Sequence, residues 1–301
     1  MNIKPFFRDA GTVIKTAFTG FLDDKVPKLS GSLAFTMVFS MGPLILIIIT
    51  TTSFFFGRDA IEGRVYSQLE GFLGHDTAFQ LQEIIKHAAI SSKTTLATII
   101  GIIFLFIGAT SVFAEMQDSI NMIWGLKTKP KKGWVAFLKT RFLSFSVIIG
   151  LGFLLLVSLF ISAMVAAFGD RLKLMIPGAS TILLYIINLG FSLGLSGFIF
   201  AVIFKVLPDG RVSWEDVFVG AGATTFLFLL GKFAISYYIS KSNVGTTYGT
   251  AGALVVLLLW IYYSSVILYF GAEITLAYAS HSGRPIKPAK YAVAYKEVEE
   301  T

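Results

Sequence analysis

The residues best placed to do chemistry in this sequence are ionisable side chains that stand alone inside long apolar stretches. Glu273 is the one charged residue between Gly252 and Ala279. A charge within a bilayer is costly, so such residues usually face the interior of a helix bundle and mark a functional path. On a helix, Tyr262, Tyr269 and Glu273 fall within about 40° of one another, with Ser265 close by. Two interpretations follow: Glu273 completes a packing network near the inner end, or it contacts a substrate or an ion.

Lys232 is the second such residue, inside the apolar stretch 217–239. It lies roughly 22 Å from the inner end of that stretch at a helical rise of about 1.5 Å per residue. Its side chain either extends to the outer interface or faces a cavity, where its ammonium group attracts an anionic head group. Thr225 and Ser236 share its helical face.

Polar residues in other apolar stretches extend this pattern. Glu115 emerges at the predicted inner end of the second stretch, at a depth similar to that of Glu273, and Asn188 lies within the fourth. If these side chains turn toward one another, they line a shared cavity. The predicted substrate or ion pathway consists of Lys232, Glu273, Glu115, Asn188, Tyr262, Tyr269, Thr225 and Ser236.

Six apolar stretches must position these residues. A helix needs roughly 20 apolar residues to cross a hydrocarbon core about 30 Å thick. Pro43 lies in the first stretch and predicts a helix kink, because it removes a backbone hydrogen bond. The predicted fold class is therefore all-α, a polytopic membrane protein with a transmembrane domain over residues 31–280. Its predicted spans are 33–56, 95–114, 142–168, 181–204, 217–239 and 252–279.

The segments outside the spans have their own patterns. Residues 1–30 are predicted to be a cytoplasmic amphipathic helix that lies on the membrane or packs under the bundle. Residues 57–94 predict a short helical extracytoplasmic loop, and residues 281–301 a cytoplasmic tail that forms a surface strap. Ser213, with Asp216 three residues on, predicts the N-cap of the fifth span.

Composition supports the membrane class. Of 301 residues, 55% are hydrophobic and 14% are charged, whereas a soluble domain has about 25% charged residues. The mean hydropathy is +0.75. Cysteine is absent, which excludes disulfides, thiolate metal sites and a cysteine nucleophile.

The distribution of basic residues predicts the orientation. With six spans, 17 Lys and Arg residues fall on the side of the two termini and 7 on the other. By the positive-inside rule both termini are cytoplasmic. The net charge of +7 is thus a topology signal, and the expected partners are membrane lipids, including anionic ones, rather than nucleic acid. The predicted lipid head-group contacts are Lys127, Lys129, Lys131 and Lys132, at about 1 kcal/mol per residue.

Three stretches together resemble the YihY/BrkB family of bacterial membrane proteins, once described as tRNA-processing ribonucleases. They are SLAFTMVFSMGPL at 32–44, IFKVLPDGRVSWEDVFVGA at 203–221, and YGTAGALVVLLLWIYYSSVILYFGAEI at 248–274, the most specific of the three. Phe35 departs from the tyrosine that the family pattern would place there. The resemblance implies a six-helix inner-membrane protein linked to envelope integrity or to transport of lipids or other amphiphiles, and it carries over one polar position, Glu273.

A ribonuclease activity does not fit these residues. Metal-dependent phosphodiester hydrolysis needs clustered ligands, and His75, His87 and His281 are scattered along the chain. No metal, no cofactor and no enzymatic activity are expected. The leading hypothesis is a transporter or flippase-like protein for a lipid or amphiphilic anion. The alternative is a structural or scaffolding membrane protein, in which Gly- and Ser-lined faces only hold helices together.

Overall fold

The computed structural model describes residues 3–40, 95–128, 179–241, 252–289 and 291–295. These residues are mostly helical, as the apolar and amphipathic patterns predict. The helices in this part of the chain are α1 (Ile3–Asp23), α2 (26–40), α3 (Thr95–Ile123), α4 (Ala179–Val206), α5 (Trp214–Lys241) and α6 (Gly252–His281).

Four short strands form two antiparallel ladders. Strand β1 (Leu126–Thr128) pairs with β4 (Ala292–Ala294), and β2 (Gly210–Arg211) pairs with β3 (Lys287–Pro288). The all-α prediction missed these strands. Alternation over four to eight residues is what signals a strand in a sequence, and two or three residues are too few to show it.

Helices α3 to α6 contain four of the predicted spans: 95–114, 181–204, 217–239 and 252–279. Among the described residues, the segment Leu257–His281 of α6 has the length and apolar composition needed to cross a membrane, and Leu193–Val206 of α4 is a shorter apolar helix. Helix α2 begins at residue 26, earlier than the predicted first span. Pro43, the loop 57–94 and the span 142–168 lie outside the described residues, so the count of six spans stays a prediction.

The chain divides into two compact units. Unit 1 comprises residues 1–26, 117–228 and 267–301, and unit 2 comprises residues 27–116 and 229–266. Unit 1 therefore holds α1, the end of α3, the four strands, α4, the start of α5 and the end of α6. Unit 2 holds α2 and parts of α3, α5 and α6.

In unit 1, α1 is amphipathic with one packed face and one open face. Val13 and Ala17 form a buried cluster with Ile274 and Ala277 of α6, joined by Ala223, Phe270 and Tyr278. Phe21 also packs edge-on against Phe270. This face of α1 therefore packs against α6, and the cytoplasmic location of the helix stays a prediction. The open face carries Ile14, Phe18 and Leu22, each more than half exposed.

In unit 2, a glycine brings two helices close together. Helix α3 meets α2 at Gly108, where an added Cβ would lie 3.0 Å from the Cβ and Oγ of Ser40. The Ser40 hydroxyl donates a hydrogen bond to the carbonyl of Thr36 in its own helix. The absence of a side chain at Gly108 therefore permits the close approach of α3 to α2.

Candidate functional site

Helices α5 and α6 cross in unit 1 through a reciprocal pair of glycines and threonines. A Cβ at Gly220 would lie 1.8 Å from Thr275 Oγ1, and a Cβ at Gly271 would lie 1.8 Å from Thr224 Oγ1. Each threonine hydroxyl donates at 2.8 Å to the carbonyl of the glycine four residues earlier in its own helix. The spacing Gly-x-x-x-Thr on both helices thus creates a close contact without an unsatisfied hydroxyl. These four residues are called the Gly–Thr crossing.

Glu273 lies between the two residues that α6 contributes to this crossing. Its side chain is only 2% exposed. A Cβ at Gly20 of α1 would lie 2.4 Å from Glu273 Oε2, so the carboxyl group fits against α1 because position 20 has no side chain. The packing of α1 on α6 therefore encloses the most isolated charge that the sequence reveals.

The neighbours of the Glu273 carboxyl are themselves acidic. The side chain of Asp24 is hydrogen-bonded to Glu273, and Asp23 is a further negative charge close by. Two carboxylates offer only acceptors, so a hydrogen bond between them requires a proton on one. Among the described residues, the second oxygen, Glu273 Oε1, has no hydrogen-bond partner. Glu273 and Asp24 are called the carboxyl pair.

A second buried acid in unit 1 has a contrasting environment. Asp209, in the loop between α4 and α5, is 4% exposed. Gln117 Nε2 donates to its Oδ1 and Asn121 Nδ2 to its Oδ2, both at 3.0 Å, while the Asp209 amide donates to Asn121 Oδ1 at 2.8 Å. Tyr291 of the tail is also hydrogen-bonded to Asp209. Asp209 with Gln117, Asn121 and Tyr291 is called the Asp209 cluster.

Partial burial, with Asp209 as a nearby negative charge and hydrogen-bond partner, raises the pKa of Tyr291. The neutral phenol is the form that can donate to the carboxylate, and the phenolate would be repelled by it. The tail is therefore fixed to the α4–α5 loop through a protonated tyrosine. A backbone bond from the Ala289 amide to the Asp209 carbonyl, at 2.9 Å, reinforces this contact.

The start of α5 holds a third acidic group. The Asp216 amide donates a hydrogen bond to Ser213 Oγ at 3.3 Å, and the Ser213 hydroxyl donates to Asp216 Oδ2 at 2.7 Å. These two bonds confirm the predicted N-cap. Arg284 Nη2 and Nε donate to Asp216 Oδ1 at 2.7 and 3.2 Å, and Arg284 Nη1 pairs with Glu215 at 2.9 Å. The hydrogen bond to Asp216 raises the pKa of Arg284. The tail beyond α6 is thus a strap, as predicted, fixed by charge and by strand pairing.

The structure gives the predicted pathway residues different environments. Tyr269 and Thr225 are buried, whereas Glu115 and Tyr262 are half-buried. The Thr225 hydroxyl donates to Ala221 in its own helix and lies against Gly197, so Thr225 makes a helix contact. The side chains of Lys232, Asn188 and Ser236 lie outside the description, as do Lys129, Lys131 and Lys132. Lys127 is exposed, with its ammonium 5.1 Å from the centre of the Tyr295 ring.

Three glycines of α4 have different surroundings among the described residues. A Cβ at Gly197 would lie 3.3 Å from Thr225 Oγ1. Within the described residues, a Cβ at Gly190 or Gly194 would meet nothing within 4 Å. Both glycines are exposed in the described part of the chain.

Several important residues were not predicted from the sequence. Gly20, Asp24, Asn121 and Gln117 lie in polar or amphipathic segments, where glycines, amides and acids are common. Asp209 lies in a Pro-Asp-Gly sequence, which is typical of a turn and does not indicate buried hydrogen-bond donors. A usable signal was the position of Asp23 and Asp24 directly at the end of an amphipathic helix, where acids are unfavourable next to the helix C-terminus.

The described residues contain no group of three or more His, Cys, Asp or Glu side chains arranged to hold a metal ion. Instead, Asp209 meets hydrogen-bond donors, Glu273 meets a second acid, Asp24, and Asp216 meets Arg284. What this arrangement can do chemically is hold and release a proton or bind a cation at Glu273, while the surrounding loops stay fixed.

Comparison with known proteins gives a consistent result. The family model described as virulence factor BrkB matches residues 17–294. A UPF0761 membrane protein of Paraburkholderia xenovorans is 30% identical over 85% of this chain, which spans 57% of that relative. A UPF0761 membrane protein of Alteromonas mediterranea is 26% identical, with 91% of each chain covered. No solved structure matches the chain significantly.

Proposed function

Because this chain belongs to the virulence factor BrkB family of membrane proteins, we propose that it is a transporter or flippase-like protein for a lipid or an amphiphilic anion. The proposal includes a multi-pass topology in the bacterial inner membrane with both termini cytoplasmic. Its partners are membrane lipids, including anionic ones, and it catalyses no covalent reaction. The association with envelope integrity belongs to the same proposal.

The observation that carries the proposal is the state of Glu273. A carboxyl group that is 2% exposed and has one oxygen without a partner among the described residues is costly, and more so in a helix with the composition of a membrane span. A packing role alone would be served by Gln, which could donate to Asp24 and avoid the charge. A group that must gain and lose a proton or a cation accounts for an acid at this position.

The carboxyl pair supports a switching role. When Glu273 and Asp24 share a proton, α1 can stay packed on α6 through Gly20. When both are ionised, their repulsion in a buried site favours separation of α1 from α6. Movement of α1 would then be coupled to protonation or to cation binding, which is the kind of differential interaction that a conformational change requires.

The anionic substrate class rests on charge. Lys232 is a cation in the apolar stretch 217–239 of α5, and a residue of this kind is costly unless it meets an anion, water or the interface. We assign it the attraction of an anionic head group, and we assign Glu273 the proton- or cation-linked switch.

Reconstitution tests this mechanism. The full chain would be placed in vesicles that contain fluorescent phosphatidylglycerol or fluorescent phosphatidylcholine, and movement between leaflets would be followed by quenching from outside. Glu273→Gln is expected to slow the movement at least about tenfold, the effect of about 1.4 kcal/mol on a barrier. Lys232→Ala is expected to slow the anionic probe more than the neutral one.

Glu215→Gln is the control, because Glu215 is an acid with a 74% exposed side chain in the same unit. It should move lipid as the wild type does. Unaltered movement of both probes in Glu273→Gln and in Lys232→Ala would exclude the mechanism.

Scaffolding is the second candidate function, and the Gly–Thr crossing favours it. Close helix contacts through small residues, with hydroxyls bonded to their own helix, are what a purely structural bundle needs. This candidate predicts a folded wild-type protein that moves neither probe. It also predicts that Glu273→Gln alters no measurable property except stability.

A further inference from the structure

We infer that Arg211 and Lys287 form a binding site for the phosphate of an anionic phospholipid head group. The two residues are directly opposite each other in the β2–β3 ladder. Directly opposed side chains in an antiparallel pair have Cβ atoms about 4.5–5.5 Å apart, and like charges in this position are destabilising. Both residues are exposed, and an anion between them would convert repulsion into attraction.

The direction of the two side chains follows from the packing of the strand. A Cβ at the neighbouring Gly210 would lie 2.9 Å from Ile286 Cγ2 and from Leu126 Cδ1. That side of β2 therefore faces the protein interior. Because successive side chains of a strand alternate between faces, Arg211 points outward, and its cross-strand partner Lys287 is on the same outer face.

A third cation lies beside the strand. Lys205 Nζ donates a hydrogen bond to the carbonyl of Val212, the residue after Arg211. The same ammonium lies 5.2 Å from the centre of the Trp214 ring. Nearby Glu215 and Asp216 both pair with Arg284, which offsets part of their charge. The outer side of the ladder therefore keeps a positive balance that suits a phosphate.

The exposed aromatic residues place this site near head-group depth. Trp214 is 47% exposed and Phe218 is 58% exposed, and their rings stack with centroids 5.6 Å apart. Tryptophan at a helix end is typical of the boundary between hydrocarbon and head groups. Arg211 precedes Trp214 by three residues, within about 10 Å of chain, and the head-group region is several ångströms thick on each side of the hydrocarbon core.

The test measures binding of phosphatidylglycerol and phosphatidylcholine to the purified full chain in neutral detergent, by native mass spectrometry. The main variant is Lys287→Glu, which places an Arg–Glu pair across the ladder. Strand pairing should be retained or strengthened, so the melting temperature should not fall. If it does fall, Lys287→Gln removes the charge without reversing it and serves as the second variant.

Phosphatidylglycerol affinity is expected to fall about fivefold in Lys287→Gln and about 25-fold in Lys287→Glu, from about 1 kcal/mol per charge near the surface. Lys15→Glu makes the same charge change at an exposed lysine of α1 and should have a much smaller effect. Phosphatidylcholine binding should be equal in all proteins.

An equal loss in Lys15→Glu and Lys287→Glu would overturn the site, because only overall charge would then matter. Competition by inorganic phosphate at concentrations comparable to the lipid would overturn the lipid as ligand. The site depends on the membrane location of the chain and not on transport. Failure here would leave the Glu273 vesicle test unaffected, and failure of that test would leave this one unaffected.

Discussion

Two buried acids in the same unit of this protein have opposite environments. Asp209 is 4% exposed and Glu273 is 2% exposed. Asp209 receives side-chain donors on both oxygens from Gln117 and Asn121, whereas Glu273 shares a hydrogen bond with another acid, Asp24. The two carboxyl groups are therefore similarly buried, but they differ in how many of their oxygens have hydrogen-bond donors.

This difference separates a structural acid from a functional candidate. A carboxylate that accepts hydrogen bonds from donors on both oxygens fixes the loops around it, and its charged form is already stabilised. A carboxyl group that is surrounded by acids and close backbone is under-satisfied, and it is stable only while a proton or a cation is present. Their similar burial does not distinguish Asp209 from Glu273, whereas their hydrogen-bond partners do.

The strongest test of the comparison is removal of the well-satisfied acid. Asp209→Ala leaves the neutral donors of Gln117, Asn121 and Tyr291 without their acceptor, and we expect a loss of about 3 kcal/mol in the free energy of unfolding. Glu273→Gln is the matched change and should alter stability by less than about 1 kcal/mol, because Gln can donate to Asp24. Thermal unfolding in detergent measures both. Similar losses in the two variants would remove the distinction.

The Gly–Thr crossing, which flanks Glu273, gives the next largest effect. Gly220→Ala places a methyl group 1.8 Å from Thr275 Oγ1 and 2.8 Å from the Gly271 carbonyl oxygen, so the helices must separate. We expect a loss of about 2 kcal/mol from overpacking. Gly222→Ala is the control on the same helix, where nothing lies within 4 Å, and it should be neutral or stabilising by up to about 1 kcal/mol. Equal behaviour of the two glycines would argue against the close crossing.

The contact of α1 with Glu273 predicts a smaller effect. Gly20→Ala brings a methyl group 2.4 Å from Glu273 Oε2, but the carboxyl is the end of a flexible side chain and can shift. A net loss of about 1 kcal/mol is expected, while Gly11→Ala, in open space on the same helix, should stabilise slightly. The double variant Gly20→Ala with Glu273→Ala should recover most of the loss in a mutant cycle. If the two stability losses were simply additive, the contact between Gly20 and Glu273 would be contradicted.

The smallest expected effect is a pH dependence at the Asp209 cluster. The pKa of Tyr291 is raised above its ordinary value of 10.0, so the folded state favours the neutral phenol. The stability from this group is fully present below pH 10 and is lost as the pH rises through the raised pKa. In unfolding measured between pH 9 and pH 11, Tyr291→Phe should lose less stability than the wild type. Parallel curves for the two proteins would contradict the Tyr291–Asp209 contact.

The apolar runs in the sequence were sufficient to predict the helices. Backbone groups in a long apolar run are satisfied when the run forms a helix with its own hydrogen bonds. Four of the six predicted spans, 95–114, 181–204, 217–239 and 252–279, fall within α3 to α6. The N-cap at Ser213 was also readable, because a capping residue and its partner are local in sequence. Glu273 could also be identified from the sequence, because a lone acid in an apolar run is recognised without knowledge of tertiary contacts.

Tertiary structure decided which residues meet. The carboxyl pair joins positions 24 and 273, and the Asp209 cluster joins positions 117, 121, 209 and 291. The tail strands β3 and β4 pair with β2 and β1, which lie far away in the chain. Sequence patterns report the local cost of a side chain, whereas the partners that offset that cost come from chain segments brought together only by packing.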